Sequence, residues 1–478
     1  MYDVCEKTIF QLAEDMQSGK ITSLELVNLY LGRIAKIDSA GPCLHSVIEI
    51  NPDVFFIAEA MDEERKQGKV RGALHGVPFL VKDNIATGDK MQTTAASITL
   101  EGLYASEDAP IVKKLREAGA VLLGKANMSE FAYFVSFTMP NGFSSRGGQV
   151  ISPYKEDGDP SGSSTGSAVA VTSNLCAFAI GTETDGSIIS PSRNNSIVGI
   201  KPTVGLVSRR GIIPISNIQD TSGPMCRTVE DAAIVLSVIA GVDEEDAATL
   251  KSSAYQGVTY ESELAKDALS GMRIGINRGY MEKLPEGGEA LFEAAVEALQ
   301  KAGATIVENC DMPKTDESAL QVLTGEFKQV MNAHLGRMKG ISPKKTLREI
   351  MMMQEEKHEI AIPYGNEVFR QSEHGWTGRG VDASYITARI EITQKCREGI
   401  DNLLNENNVD LLYCPTHFDV APYAGYPSVM VPIGMLPNDM PFGACFVGTA
   451  FSEPILIKAA YAFEQAFPQR VPPKFKEV

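Results

Sequence analysis

The sequence predicts an α/β fold, and three observations carry that prediction. Helical and short apolar, strand-like segments alternate along much of the 478 residues. The apolar runs are short and end at Gly, Pro or polar residues, as buried strands do. Hydrophobic residues make up 44% of the chain and charged residues 22%, the balance of a globular protein with a large core. A chain of this length exceeds the usual single-core size, yet an elaborated α/β enzyme reaches it as one domain.

The elements follow in order. Thr22-Ser-Leu-Glu25 has the form of a capping box and introduces Leu26, Val27, Tyr30, Leu31 and Ile34 at helical spacing. Residues 1–70 are therefore expected to form an N-terminal helical segment packed on the main body. Phe79 to Val81 reads as a buried strand ending at Lys82, and strand ends line the ligand crevice of an α/β sheet. Ile111 to Ala118 is helical and Gly119 stops it; Val121-Leu-Leu123 is a strand, and the alternation continues through Ile197-Val-Gly-Ile200. Met272 to Ile276 is a strand. Glu289 to Ala302 is a helix with Phe292, Val296 and Leu299 on one face, Gly303 ends it, and Ala304 to Val307 is another strand. Residues 313–382 are more polar, carry Met351-Met-Met353 and Trp376, and read as a helical insertion shaping the substrate entrance. Val409 to Cys414 returns to a buried strand, and Ala459 to Glu464 lies in a final helix. No internal repeat is present.

Composition excludes several classes. A formal net charge of −17 argues against nucleic acid or an anionic membrane as the main partner, because both need Lys and Arg to neutralise phosphate. No apolar run reaches about eighteen residues, so no spanning helix is expected. The eight cysteines lack C-x-x-C spacing and read as reduced thiols. The start, Met1-Tyr-Asp-Val-Cys-Glu-Lys7, is acidic where a signal peptide is basic, which points to a cytoplasmic protein. Asp243-Glu-Glu-Asp246 reads as a solvated loop rather than a calcium loop, so neither metal nor cofactor is expected. A homodimer is compatible with all of this.

The chemistry concentrates in Asp159-Pro-Ser-Gly-Ser-Ser-Thr-Gly-Ser-Ala168 and Gly181-Thr-Glu-Thr-Asp-Gly-Ser-Ile188, two serine clusters flanked by glycine and joined by an apolar segment. Such turns present hydroxyls beside successive backbone N–H groups, which suits a tetrahedral oxyanion. Amide hydrolysis also needs a base. The histidines at 45, 75, 334, 358, 374 and 417 all lie far along the chain from both clusters. A lysine serves instead if burial depresses its pKa from about 10.4 toward neutrality, and Lys82, ending an apolar strand, is placed for that. Gly162-Ser-Ser-Thr-Gly166 matches the G-x-S-x-G elbow with Ser164 at its centre, but the polar, proline-broken stretch 152–160 replaces the strand that motif requires. Ser342-Pro-Lys-Lys345 matches S-x-x-K without its partner motifs.

Six motifs together resemble the amidase signature enzymes: Gly76-Val-Pro-Phe-Leu-Val-Lys-Asp-Asn84, Gly124-Lys-Ala-Asn-Met-Ser-Glu130, Ser161-Gly-Ser-Ser-Thr-Gly-Ser167, Gly181-Thr-Glu-Thr-Asp-Gly-Ser-Ile188, Val198-Gly-Ile-Lys-Pro-Thr203 and Ala424-Gly-Tyr-Pro-Ser428. The resemblance implies a single domain over 1–478 with a mixed, mostly parallel central sheet covered by helices on both faces. It further implies a Ser–cis-Ser–Lys triad, with Ser187 as nucleophile, Ser163 as proton bridge and neutral Lys82 as general base. The bridging serine would follow a cis peptide bond from Gly162. The N–H groups of Thr184, Asp185, Gly186 and Ser187 would form the oxyanion hole, and Thr182 would hydrogen-bond Ser163 from behind.

Two departures from the family pattern bear on substrate. Asp185 stands where many members have Gly, and Ile189 where many have Arg. Without a cation after the nucleophile, a substrate carboxylate has no partner unless Arg146 or Arg193 supplies one. The expected substrate is a neutral carboxamide, either small or a peptide: a peptide C-terminal amide, an aliphatic amide or an anilide. The alternatives are the glutaminase chain of a glutamyl-tRNA amidotransferase (its A chain), disfavoured by Ile189 and the acidic balance, and a non-catalytic binding scaffold, disfavoured by the intact triad.

Overall fold

Eleven strands, several of them short apolar runs, form one mixed sheet in the computed structural model, which describes residues 2–315, 318–377, 379–416 and 420–475. In chain order these strands are β1 Val47–Ile50, β2 Pro78–Lys82, β3 Val121–Ala126, β4 Phe178–Glu183, β5 Val198–Lys201, β6 Thr221–Cys226, β7 Arg273–Ile276, β8 Thr305–Val307, β9 Leu411–Cys414, β10 Ser428–Met435 and β11 Pro441–Val447. Their order across the sheet is β1, β3, β2, β4, β6, β5, β10, β11, β9, β7, β8. Parallel pairing is confined to two blocks, β3-β2-β4 and β9-β7-β8. The middle of the sheet, from β4 to β9, is antiparallel throughout, so parallel pairs are fewer than the resemblance implied.

Both faces are covered. Every residue of β2, β3, β4, β6 and β11 is buried, which requires packing on either side. Strand alternation sorts the two faces into separate cores: Leu411, Tyr413, Val429, Val431 and Phe446 join the main cluster, whereas Leu412, Cys414, Met430 and Cys445 join a second beneath the long helix Ala383–Glu406. The main cluster also takes the helices Val229–Ile239, Gly288–Lys301 and Glu453–Ala466.

The capping box at Thr22 is present. Its side chain accepts from the Glu25 N–H while the Glu25 carboxylate accepts from the Thr22 N–H, and the helix Ser23–Arg33 buries Leu26, Val27 and Tyr30. Residues 1–70 are not wholly helical, because Val47 to Ile50 pairs antiparallel with β3 at the sheet edge. Within 313–382, helices Ser318–Arg337, Leu347–Glu356 and Glu367–His374 bury Phe327, Met331, Leu335, Ile350 and Phe369 in a third cluster with Phe131, Phe134, Ile213 and Ile215. Residues 316, 317 and 378 of this segment lie outside the described residues. Gly340–Ile341, where only helix was expected, pairs with Tyr104–Ala105. The acidic run is tied to arginines: Asp246 takes Arg209 at 2.6 Å and Asp243 takes Arg210 at 3.0 Å. No helix among the described residues is long and apolar enough to cross a membrane.

Candidate active site

The site is assembled where β2 and β4 end side by side. Phe79 of β2 registers with Phe178 of β4, their rings stacked at a centroid distance of 5.1 Å. The same parallel ladder runs to Val81 opposite Ile180, bringing the ends of both strands together. Lys82 Nζ donates to the Thr182 carbonyl at 3.1 Å and lies 2.8 Å from Ser163 Oγ, which in turn lies 2.9 Å from Ser187 Oγ. Ser163 follows a cis peptide bond from Gly162 and precedes the helix Thr165–Thr172. A side chain at Gly162 does not fit, since its Cβ would lie 2.5 Å from the Ser129 hydroxyl.

Lys82 is fully buried. Loss of hydration penalises its ammonium form and pulls the pKa down to about 7, against the opposing pull of the Glu183 and Asp220 carboxylates. Burial therefore outweighs two nearby negative charges, and the amine is substantially neutral just above pH 7. Ser163 is 1% exposed and Ser187 8%.

The turn from Glu183 to Ser187 is shaped by Gly186, whose φ of +79° belongs to the left-handed region. Glu183 closes it: Oε2 accepts the N–H groups of Ile188 at 2.7 Å and Ile189 at 2.9 Å, capping the short helix Ile189–Asn194 just beyond the serine. The Ser187 carbonyl accepts the Ser164 N–H at 3.1 Å, joining the two serine clusters. Thr184, Asp185 and Gly186 thus sit on one tight backbone turn beside the Ser187 hydroxyl.

Thr182 does not bond Ser163 as the resemblance implied. Its hydroxyl accepts from Asn84 Nδ2 at 3.0 Å, and its link to Ser163 runs through Lys82 at its carbonyl. Ser164 staples the helix start to β4, donating to the Thr182 carbonyl at 3.0 Å and accepting its N–H at 3.2 Å. No strand leads directly into Ser164. Sequence reasoning passed over Glu183 as a capping residue, and also Asn84, Gln219 and Asp220. Asn84 and Glu183 lie inside the quoted motifs, but Asp220 meets Thr184 from 36 residues away, and only folding brings them together.

Ile189 is 1% exposed, packed with Tyr385, Ile392 and Tyr423. Arg146 bonds Glu49 at 2.6 Å and lies 3.7 Å from Asp83, while Arg193 lies over the Phe442 ring and donates to Thr416 Oγ1 at 2.6 Å. Among the described residues no histidine hydrogen-bonds Ser163 or Ser187; His417 lies outside them. No cluster of three His, Cys, Asp or Glu capable of holding a metal occurs among the described residues.

A cavity of about 530 Å³ opens beside the turn, with Asn84, Thr184 and Asp220 on one side and Gln329, His334 and Arg337 of the insertion on the other. Lys82, Ser163 and Ser187 are not in its wall. Thr182, Glu183 and Thr184, at the end of β4 and the start of the turn, are in the cavity wall.

With fold and geometry in place, the class follows: the family model of the amidases matches residues 25–428, and the chain belongs to that family of amide-hydrolysing enzymes. A probable amidase of Arabidopsis thaliana is 41% identical over 99% of this chain and 92% of its own length. The crystal structure of the native peptide amidase from Stenotrophomonas maltophilia superposes with a TM-score of 0.94 at 40% identity, covering 99% of both chains. The A chain of the glutamyl-tRNA(Gln) amidotransferase of Rhizobium etli is 32% identical, over 99% of this chain and 100% of its own length.

Proposed function

We propose that the enzyme hydrolyses neutral carboxamides through an acyl-enzyme on Ser187, with peptide C-terminal amides as the preferred class and aliphatic amides and anilides as further substrates. The observation that carries this reading is the continuous run from a buried, readily neutral Lys82 through Ser163 to Ser187 at 2.8 and 2.9 Å. Ser187 Oγ attacks the amide carbon. Its proton passes to Ser163, whose own proton passes to the Lys82 lone pair, because a hydroxyl donates and accepts at once. The amides of Thr184, Asp185, Gly186 and Ser187 hold the oxyanion. Collapse of the tetrahedral intermediate breaks the C–N bond, and the proton returns from Lys82 through Ser163 to the leaving nitrogen. Water then attacks the acyl-enzyme by the same relay, releasing the acid and restoring Ser187.

Substrate neutrality rests on the apolar burial of Ile189 and on the pairing of Arg146 with Glu49. The resemblance to peptide amidase points the same way, and Ile189 disfavours a free glutamine substrate. The chain 1–478 acts as one catalytic domain in this reading, with 1–70 packed on it and 313–382 shaping the entrance. It works in the cytoplasm without metal or cofactor, in keeping with its eight free cysteines, and as a monomer or homodimer.

The test is to incubate the purified chain alone, without glutamine or RNA, with peptide amides, short aliphatic amides and anilides while measuring ammonia or amine. Release from uncharged amides is the expected outcome. Turnover of glutamine alone, or none of the panel, overturns the reading.

A further inference from the structure

The turn carrying Thr184 is gripped from outside by a dipeptide that no catalytic motif includes. Asp220 Oδ1 accepts the Thr184 hydroxyl at 2.6 Å, and Gln219 Nε2 donates to the Thr184 carbonyl at 3.1 Å. Asp220 is itself fixed, since Oδ2 accepts the N–H groups of Ile215 at 2.8 Å and Ser216 at 2.9 Å. The Ser216 hydroxyl in turn donates to Glu326, on the insertion helix that walls the cavity. The two peptide planes flanking Thr184 rotate about its backbone bonds, and ties at both side chain and carbonyl remove that freedom. Oxyanion stabilisation depends on donors held in place before charge develops. A carboxylate accepting three donors is a strong anchor for such a purpose.

We propose that Asp220 is a positioning residue that aims the amides of the Thr184–Gly186 turn at the substrate oxygen. This rests on the reading of that turn as the oxyanion hole. Asp220 touches neither Ser187 nor Ser163; it acts through Thr184. Its charge has a second effect, because it acts on Lys82 at the end of β2, alongside the Glu183 carboxylate, and faces Arg209 along its own loop and Glu326 on the insertion helix. Removing that charge makes the Lys82 ammonium less favourable.

The test compares Asp220→Asn, Thr184→Val, Thr184→Ser, the Asp220→Asn/Thr184→Val double variant and Ser187→Ala, using the fastest amide or anilide of the panel above. A peptide aldehyde and its alcohol serve as paired inhibitors. Ser187 Oγ bonds to the aldehyde carbon, the carbonyl pair becomes an alkoxide in the hole, and the serine proton moves through Ser163 to Lys82; the alcohol only occupies the site. Asp220→Asn and Thr184→Val should each lower kcat about tenfold or more with KM within about threefold, and weaken the aldehyde similarly while sparing the alcohol. Thr184→Ser, which keeps the donor, should recover most of the loss. The double variant should be no worse than the poorer single, because both remove one interaction. The acid limb of the rate profile should move to lower pH in Asp220→Asn and stay in place in Thr184→Val.

Wild-type kcat in Thr184→Val, equal loss of aldehyde and alcohol, or multiplicative losses in the double variant would overturn the proposal. Thr184→Val decides the matter if Asp220→Asn fails to fold, as judged by thermal unfolding. Full activity or full aldehyde affinity in Ser187→Ala would instead defeat the site reading itself. Loss in Ser187→Ala with normal Asp220→Asn defeats the positioning role alone.

Discussion

Lys82 is where burial and charge compete. Two carboxylates, Glu183 and Asp220, favour its ammonium, yet dehydration wins and holds the pKa near 7. On the proposed mechanism Lys82 acts as base only when neutral, so kcat/KM should rise with pH through an apparent pKa near 7 and fall about tenfold per unit below it, which a pH–rate profile checks. A profile flat to pH 5 would remove lysine from the role of base. Ser187→Ala and Lys82→Ala should each lower kcat by about a thousandfold or more. Ser164→Ala should stay within about tenfold, because the Ser164 hydroxyl bonds the β4 backbone at Thr182, and its bond to the Ser187 carbonyl is made by the backbone N–H that alanine retains. The sequence singled out Lys82, Ser163 and Ser187 as candidates because glycine-flanked serines and a lysine ending an apolar strand stand out, and the fold brings the three side chains into one hydrogen-bonded run. The true partner of the Thr182 hydroxyl was not legible, since choosing between Ser163 and Asn84 depends on side-chain directions that spacing does not encode.

Elements repeat this division. Strands with plain apolar runs, such as β2 and β7, were legible within a residue, β3 was read three residues short at its end, and the capped helix at Ser23–Arg33 was legible too. The strand β6 was hidden because Thr221-Ser-Gly-Pro-Met-Cys226 puts Gly and Pro at its centre, where composition argues against a strand. The reason is packing: a Cβ on Gly223 would lie 1.9 Å from the Ile200 carbonyl oxygen. The strands β10 and β11 escaped similarly, with Pro432 and Gly434 interrupting the first and Gly443 the second. The short helix Ile189–Asn194 depends on its cap. Glu183→Ala removes the acceptor of two adjacent amides and should lower kcat by about tenfold or more by loosening the turn before Ser187, whereas Glu183→Gln, which keeps an acceptor, should lose less. Steady-state kinetics on the two variants checks this order.

At the scale of the molecule, the α/β class and the helical insertion were legible, whereas the division of the sheet into two parallel blocks around an antiparallel middle was not. Pairing direction depends on which distant strands meet, and local periodicity carries no such record. The insertion's place over the site is likewise a long-range outcome, made by Phe327 and Phe369 packing with Phe131 and Phe134. If the cavity receives the acyl portion of the substrate, Ala333→Trp in its wall should raise KM for peptide amides by about tenfold while leaving short aliphatic amides nearly unchanged. Equal effects on both substrate sizes would place substrate elsewhere.

The stacked Phe79 and Phe178 rings carry one more implication. Lys82 ends β2, and Ser187 follows the neighbouring strand β4 by one tight turn, so their spacing is set by the paired central strands and that turn and not by a hinge or lid. Warming should therefore abolish turnover and circular-dichroism signal in a single coincident step. Catalytic failure at temperatures where the ellipticity is still native would show that the reacting groups come loose before the architecture does.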